Sequence, residues 1–241
     1  MNTLDYDTYH EKAKNREDSY LNVEEDWIEI KNYLQEYVHK DARILELGSG
    51  GGYFGNWLRK NNYKNIVCSD NSQISIEEGG KRFPELEYLQ LNAQEFHVKN
   101  FDIVISLDLI EHLPDIQKHL KCVHEALNNG GKYIIKTPNK TLENIYYSKI
   151  LLRKDKEKKH PWWTAHISLQ SKNSLRKSLS KEGFSTIFLR QKKLTIAQEK
   201  KVRLIISKPL HAPAISTISF LLKIIPKSAA VQLIAVAKKN S

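Results

Sequence analysis

Apolar residues recur along this chain with two different periods, and the periods alternate. Between 20 and 39, Trp27, Ile30, Leu34 and Val38 fall three or four positions apart, the spacing of an amphipathic helix. RILEL (43–47) then reads as a strand, followed by a helix carrying Phe54, Trp57 and Leu58. NIVCSD (65–70) is a second strand, ISIEEGGKRF (74–83) a short helix, and EYLQL (87–91) a third strand. FDIVIS (101–106) is apolar at almost every position, as expected of a strand covered on both faces. A helix is predicted over 114–128, stopped by Asn128-Asn129-Gly130-Gly131, with a fifth strand at GKYIIKT (131–137). Strands alternating with helices predict a parallel, doubly wound sheet.

Beyond Pro138 the pattern changes. Residues 140–168 form a long basic, aromatic-rich excursion, the length expected of a lid. LQSKNSLRKSLSKEGF (169–184) reads as a helix stopped at Gly183, FSTIFLR (184–190) as a strand and VQLIAVAKK (231–239) as a final strand, with an insertion at 191–230 between them. Charge follows this division. Residues 1–139 hold 16 Lys and Arg against 23 Asp and Glu, whereas residues 140–241 hold 22 against 5. The second half therefore suits an anionic partner such as a phosphate, nucleotide, nucleic acid or lipid headgroup, or is a lysine-rich solvated face. Within the insertion, 214–225 puts Ile215, Ile218, Leu222 and Ile225 on one helical face flanked by lysines. That face suits packing or a dimer contact, or peripheral contact with an anionic membrane.

The chain offers no run of 18 uncharged apolar residues, and its first residues lack the apolar core of a secretory signal. Cys68 and Cys122 have no metal-type spacing and read as buried free thiols. A cytoplasmic protein is expected.

Chemistry concentrates at ILELGSGGGYFGNWL (44–58), where glycines follow the first strand. Glycine is costly to order, so such a run signals close approach of something to the backbone. Gly50-Gly51-Gly52-Tyr53-Phe54-Gly55 matches the dinucleotide fingerprint, and Asp70 lies 20 residues past Gly50, where a ribose-binding acid belongs. The frame does not fit, because Gly48 already holds the place next to the strand, with Glu46 inside it.

Read from Glu46, the run is E-x-G-x-G-x-G, through Gly48, Gly50 and Gly52. This resembles the glycine-rich motif of class I S-adenosylmethionine-dependent methyltransferases. LNAQEF (91–96), FDIVISLDLIEHLPD (101–115) and GGKYIIKTPN (130–139) extend the resemblance over about residues 40–140, in order and at suitable spacing. The EHLPD ending is similar to the branch containing ubiquinone-biosynthesis-type O-methyltransferases.

The resemblance implies an α/β, Rossmann-like, seven-stranded, mostly parallel sheet with the last strand antiparallel. It would carry an N-terminal helical cap (1–39), a methyltransferase domain (40–241) and a lid. It further implies that Glu46, Gly48, Ser49, Gly50, Gly52, Asp70, Asn71, Asn92, Ala93, Gln94 and Leu107 hold S-adenosyl-L-methionine, Asp70 through the ribose hydroxyls. Asn92 stands where many members carry an acid. His166, and next His112, are the candidate bases for an oxygen acceptor. Trp162 and Trp163 in the lid are candidates for stacking on the acceptor, or are hydrophobic clasps that close the lid, and Tyr6 and Tyr9 are candidates for closing over the cofactor. Asp108, Glu111 and His112 do not form a recognisable ligand set, so no metal is expected. The acceptor implied is a small molecule or glycan, methylated on oxygen or else nitrogen. An anionic one, such as a nucleotide- or lipid-linked sugar, would suit the basic half, and the protein would be a monomer or homodimer. An RNA acceptor is the alternative raised by the basic half. It lacks support from the segment after the fourth strand, SLDLIEHLPD, which has no Asn/Asp-Pro-Pro-Tyr/Phe motif. A non-catalytic cofactor-binding scaffold is the other.

Overall fold

The computed structural model describes residues 24–144, 166–191, 194, 198–199, 203, 210–224 and 231–240. Its elements follow the alternation of the sequence. A 3-10 turn at Glu24–Trp27 leads into α1 (Ile28–Tyr37). Then come β1 (Arg43–Leu47), α2 (Tyr53–Lys60), β2 (Asn65–Asp70), α3 (Gln73–Arg82), β3 (Glu87–Gln90) and β4 (Phe101–Leu107). After a 3-10 turn at Ile110–His112 follow α4 (Ile116–Ala126), β5 (Leu127–Pro138), α5 (Lys172–Lys181), β6 (Phe184–Phe188), α6 (His211–Ile224) and β7 (Gln232–Lys239).

The strands form one seven-stranded sheet in the order β3-β2-β1-β4-β5-β7-β6. Strands β1 to β5 run parallel, and β7 lies antiparallel to both β5 and β6. The helices between the parallel strands cover the two faces of the sheet. The chain order reverses between β1 and β4, which opens a crevice beyond the carboxyl ends of those strands.

Each central strand serves two cores because its side chains alternate between faces. Leu45, Leu47, Val67, Val104, Tyr133 and Ile135 meet Leu120 and Val123 of α4 and Leu175 and Leu179 of α5. Ile44, Cys68, Ile103, Ile105 and Ile134 meet Ile30 and Leu34 of α1 and Phe54 and Leu58 of α2.

Several expected boundaries move. Helix α4 ends at Ala126, and the next residue already belongs to β5. Phe101 pairs with Leu127, but Ile103 pairs with Lys132, so Asn128–Gly131 bulges out of the ladder instead of merely ending the helix. Asn128 Nδ2 donates to Asp102 Oδ1 at 2.8 Å and holds the bulge against β4. Strand β6 stops at Phe188, two residues before the expected end. In α6, Ile215 and Ile218 are half-buried and pack with Leu194 and Val231, so this part of the apolar face is turned to the protein. The side chains of Leu222 and Ile225, most of the lid, and Trp162, Trp163, Tyr6 and Tyr9 lie outside the described residues. None of the described helices is long and apolar enough to cross a membrane.

Candidate functional site

The turn after β1 takes three glycines through positive φ: Gly48 at 72°, Gly50 at 50° and Gly52 at 75°. The reasons for glycine differ along it. A Cβ at Gly52 would stand 2.3 Å from the Tyr88 hydroxyl, so packing forbids it. A Cβ at Gly50 would meet nothing within 4 Å, so the bare backbone there borders open space. Ser49 Oγ, in the same turn, is buried without a hydrogen-bond partner.

Asp70 ends β2 beside this turn. Its Oδ2 accepts from Gly50 N at 2.9 Å and its Oδ1 from Ser72 N at 3.0 Å. Each carboxylate oxygen has two lone pairs, so both retain acceptor capacity after these bonds. The Asp70 carbonyl takes Leu91 N at 2.9 Å, which sets the turn at 92–95 next to the carboxylate. There Asn92 is exposed, and its Oδ1 accepts from Gln94 N at 3.0 Å. Ala93 is buried, and Gln94 spends its Oε1 on Asp115 N at 2.7 Å, the N-cap of α4. Asn71 is exposed, its carbonyl accepting from Gln90 Nε2, and Leu107 is half-buried at the end of β4.

Glu46 faces the other way from Leu45 and Leu47, towards α2. It is 3% exposed, 3.6 Å from Cys68 Sγ, and takes a hydrogen bond from the Gly55 backbone. Burial pushes its carboxyl up to about 8. Gly55 is needed here, since a Cβ would stand 2.3 Å from Cys68 Sγ. Glu46 thus ties β1 to β2 and to α2, the helix that follows the glycine turn.

Beyond β4, the chain turns sharply at Asp108, a non-glycine residue with φ 53°. Its carboxylate pairs with Lys136, whose side chain is wholly buried in β5. Glu111 is buried as well, accepts from Thr137 Oγ1 at 2.9 Å, and has its carboxyl pushed above the usual range, first by desolvation and then by the nearby Asp108 carboxylate. The segment after the lid returns over this turn. Ser168 N donates to the Glu111 carbonyl at 2.9 Å, and Ser168 Oγ donates to the Leu113 carbonyl at 2.5 Å. These bonds bring His166 to His112, the ring centroids 5.0 Å apart in an edge-to-face arrangement. The two histidines picked out in the sequence therefore share one site.

Glu111, His112 and His166 also place one potential ligand atom each within 4.8 Å of one another. The sequence alone offered no such set, because its third member lies 54 positions beyond His112. Two nitrogens and a carboxylate oxygen suit a borderline divalent ion.

Lys136 was missed by sequence reasoning. Its signal was there: a lysine inside YIIKTP, a run otherwise apolar enough for a buried strand.

Comparison with known proteins agrees with this geometry. A methyltransferase-domain family model matches residues 20–188. The ubiquinone biosynthesis O-methyltransferase of Coxiella burnetii (strain RSA 493 / Nine Mile phase I) is 28% identical over 128 residues, 50% of this chain and 54% of that protein. Its counterpart in Azorhizobium caulinodans is 30% identical over 117 residues, 44% of either chain. The matches thus span about half the length of these relatives. Among solved structures, one from Haloferax volcanii, of the Trm112 methyltransferase activator with a methyltransferase, has a TM-score of 0.68 at 14% identity over 98% of both chains. The Haemonchus contortus phosphoethanolamine N-methyltransferase 2, in complex with S-adenosyl-L-methionine, has a TM-score of 0.59 at 15% identity, over 88% of this chain and 52% of that one. Likeness at such identity speaks for the fold, and the family match covers well over half of the sequence. With the seven-stranded order and the glycine turn beside Asp70, it establishes that this chain belongs to the methyltransferase-domain family.

Proposed function

We propose that the protein transfers a methyl group from S-adenosyl-L-methionine to an oxygen of a small-molecule or glycan-type acceptor. The observation that carries this reading is the turn itself: Gly50 presents bare backbone to open space directly beside the Asp70 carboxylate. A ligand with a ribose diol and a flat base fits such a place, and the orphaned Ser49 hydroxyl offers it a further polar contact. In this reading Asp70 accepts from the diol, the turn from Asn92 to Gln94 borders the base, and the backbone from Gly48 to Gly52 lies against the amino-acid tail. Glu46 keeps that backbone in place, and Asn71 and Leu107 line the rim.

S-adenosylmethionine supplies an activated methyl group, which moves in line to the acceptor oxygen while the bonding pair stays on sulfur. This chain must then position the acceptor and take up its proton. In this reading His166, its ring centroid 5.0 Å from that of His112, takes up that proton. The basic character of residues 140–241 favours an acceptor bearing negative charge.

A second reading of the same cluster draws on the mutual approach of Glu111, His112 and His166. In it these three hold a divalent cation, a Lewis acid that would lower the pKa of an acceptor hydroxyl. His166 is then a ligand and not a base.

Four measurements separate the outcomes. Calorimetry with S-adenosylhomocysteine should show binding to the wild-type protein, and a methyl-donor assay against phenols, glycans and nucleotide sugars should find turnover that His166→Ala abolishes. Loss of turnover on chelation, with restoration by one added divalent ion, selects the cation reading. Insensitivity to chelator selects the base. Binding without turnover on any acceptor, unchanged by His166→Ala, would favour a non-catalytic scaffold. A salt-sensitive RNA gel shift would move the acceptor to nucleic acid.

A further inference from the structure

Three buried polar side chains run through the core between β4, β5 and α4. Ser106 Oγ lies 2.5 Å from Tyr133 Oη, Tyr133 Oη lies 2.7 Å from His119 Nε2, and His119 Nδ1 lies 2.6 Å from the Ala93 carbonyl. All three side chains are inaccessible to solvent. The direction of every bond follows from one end. A carbonyl oxygen only accepts, so His119 Nδ1 must carry a hydrogen. Burial depresses His119 to about 4, so the ring is neutral and Nε2 is an acceptor. Tyr133 must then donate to Nε2, and Ser106 must donate to Tyr133. The chain runs one way, from the sheet to the Ala93 carbonyl.

The end point matters because of where Ala93 sits. It belongs to the turn after β3, an edge strand that among the described residues pairs with β2 alone. Its neighbours reach α4 too: Gln94 Oε1 accepts from Asp115 N, and the Gln94 carbonyl lies 3.5 Å from Cys122 Sγ. Strand β2 holds the start of this turn through Leu91 N to the Asp70 carbonyl, and α4 holds its far side.

We propose that His119 is a positioning residue of the cofactor site, fixing the turn at residues 92–94 through its bond to the Ala93 carbonyl. The inference rests on the proposed reading that this turn borders the adenine of S-adenosylmethionine. His119 touches neither cofactor nor acceptor and acts through Ala93.

The test uses His119→Leu, His119→Asn and Tyr133→Phe in the full chain, with S-adenosylhomocysteine as the probe. Asparagine reproduces the Nδ1–H donor, while leucine does not. His119→Leu should weaken binding about tenfold, a size expected of one net hydrogen bond with its orphaned partner. His119→Asn should restore most of that loss even if its melting temperature stays low. Amide hydrogen exchange at residues 91–95 should quicken in His119→Leu and not in His119→Asn. The KM for the acceptor should stay put in all three variants. Should His119→Leu not fold, Tyr133→Phe, which keeps the aromatic ring and removes the hydroxyl that donates to Nε2 and accepts from Ser106, should weaken binding in the same direction. Equal binding by folded His119→Leu or Tyr133→Phe and wild type overturns the proposal. So does a loss that tracks melting temperature alone and that asparagine does not rescue. If the wild-type protein fails to bind S-adenosylhomocysteine, the cofactor reading itself falls and this inference falls with it.

Discussion

Gly50→Ala should separate ligand binding from folding, because the new methyl would meet no atom of the described protein within 4 Å. What it does meet is backbone strain. Gly50 has φ 50°, a region that costs an L-residue about 1–2 kcal/mol. For a chain of this size that corresponds to a fall in melting temperature of roughly 2–8 °C. Gly52→Ala adds a collision to the same strain, since its Cβ would lie 2.3 Å from Tyr88 Oη and 3.1 Å from two ring carbons. Overpacking typically adds about 1–3 kcal/mol, so this variant should be clearly less stable than Gly50→Ala. Gly80→Ala is the reference: it lies in α3, has open space at its Cβ, and should stabilise by about 0.5–1 kcal/mol. Binding should rank differently. The Gly50→Ala methyl projects beside Asp70, where the ligand is proposed to lie, and should weaken S-adenosylhomocysteine by at least about tenfold, or 1.4 kcal/mol. Thermal melts and calorimetry on the three variants and wild type give the answer. Should Gly50→Ala bind as wild type does while melting a few degrees lower, the glycine serves the turn alone and the reasoning about ligand approach fails.

Further predictions concern the buried charges. Asp70→Asn replaces one acceptor oxygen by an amide nitrogen, so Gly50 N or Ser72 N loses its partner; both stability and S-adenosylhomocysteine affinity should fall, and retention of affinity would remove Asp70 from the site. Glu46 is held near pKa 8 when folded against about 4.5 when unfolded, so the folded state keeps its proton longer. That contribution to stability is full below pH 4.5 and is lost as pH rises towards 8, with a slope of up to about 1.4 kcal/mol per pH unit. Glu46→Gln, which mimics the protonated acid, should flatten this part of the pH–stability curve, and denaturant titrations from pH 5 to 9 check it. Lys136→Met should cost about 1–3 kcal/mol, below the usual figure for a broken buried pair, because Asp108 is 41% exposed and can be hydrated. An unchanged melting temperature would refute a structural part for Lys136.

How far the fold can be read from the chain depends on what each element buries. FDIVIS and GKYIIKT declare themselves because both faces of those strands are covered, which leaves little room for polar residues. The Asn128–Gly131 bulge was not legible: the same four residues suit a helix stop, and only pairing with β4 makes them part of a strand. At the site, the glycine turn and Asp70 are local signals, with roles fixed within a few residues of one another. The pairing of His112 with His166 depends on Ser168 being tied back to Glu111 and Leu113, contacts that no local pattern encodes. The bonds from Ser106 through Tyr133 and His119 to Ala93 cross three elements and were likewise invisible in the sequence.

The clasp between Asp70 and the amides of Gly50 and Ser72 has a consequence for kinetics. The mouth of the crevice is already braced before any guest arrives, by the very oxygens that would greet it. Little chain entropy of this turn remains to be surrendered on arrival, so a nucleoside should dock quickly and the backbone at the Gly50 and Ser72 amides should shift hardly at all. The same economy makes the acid hard to replace, because whatever stands there must satisfy two neighbours and a visitor together.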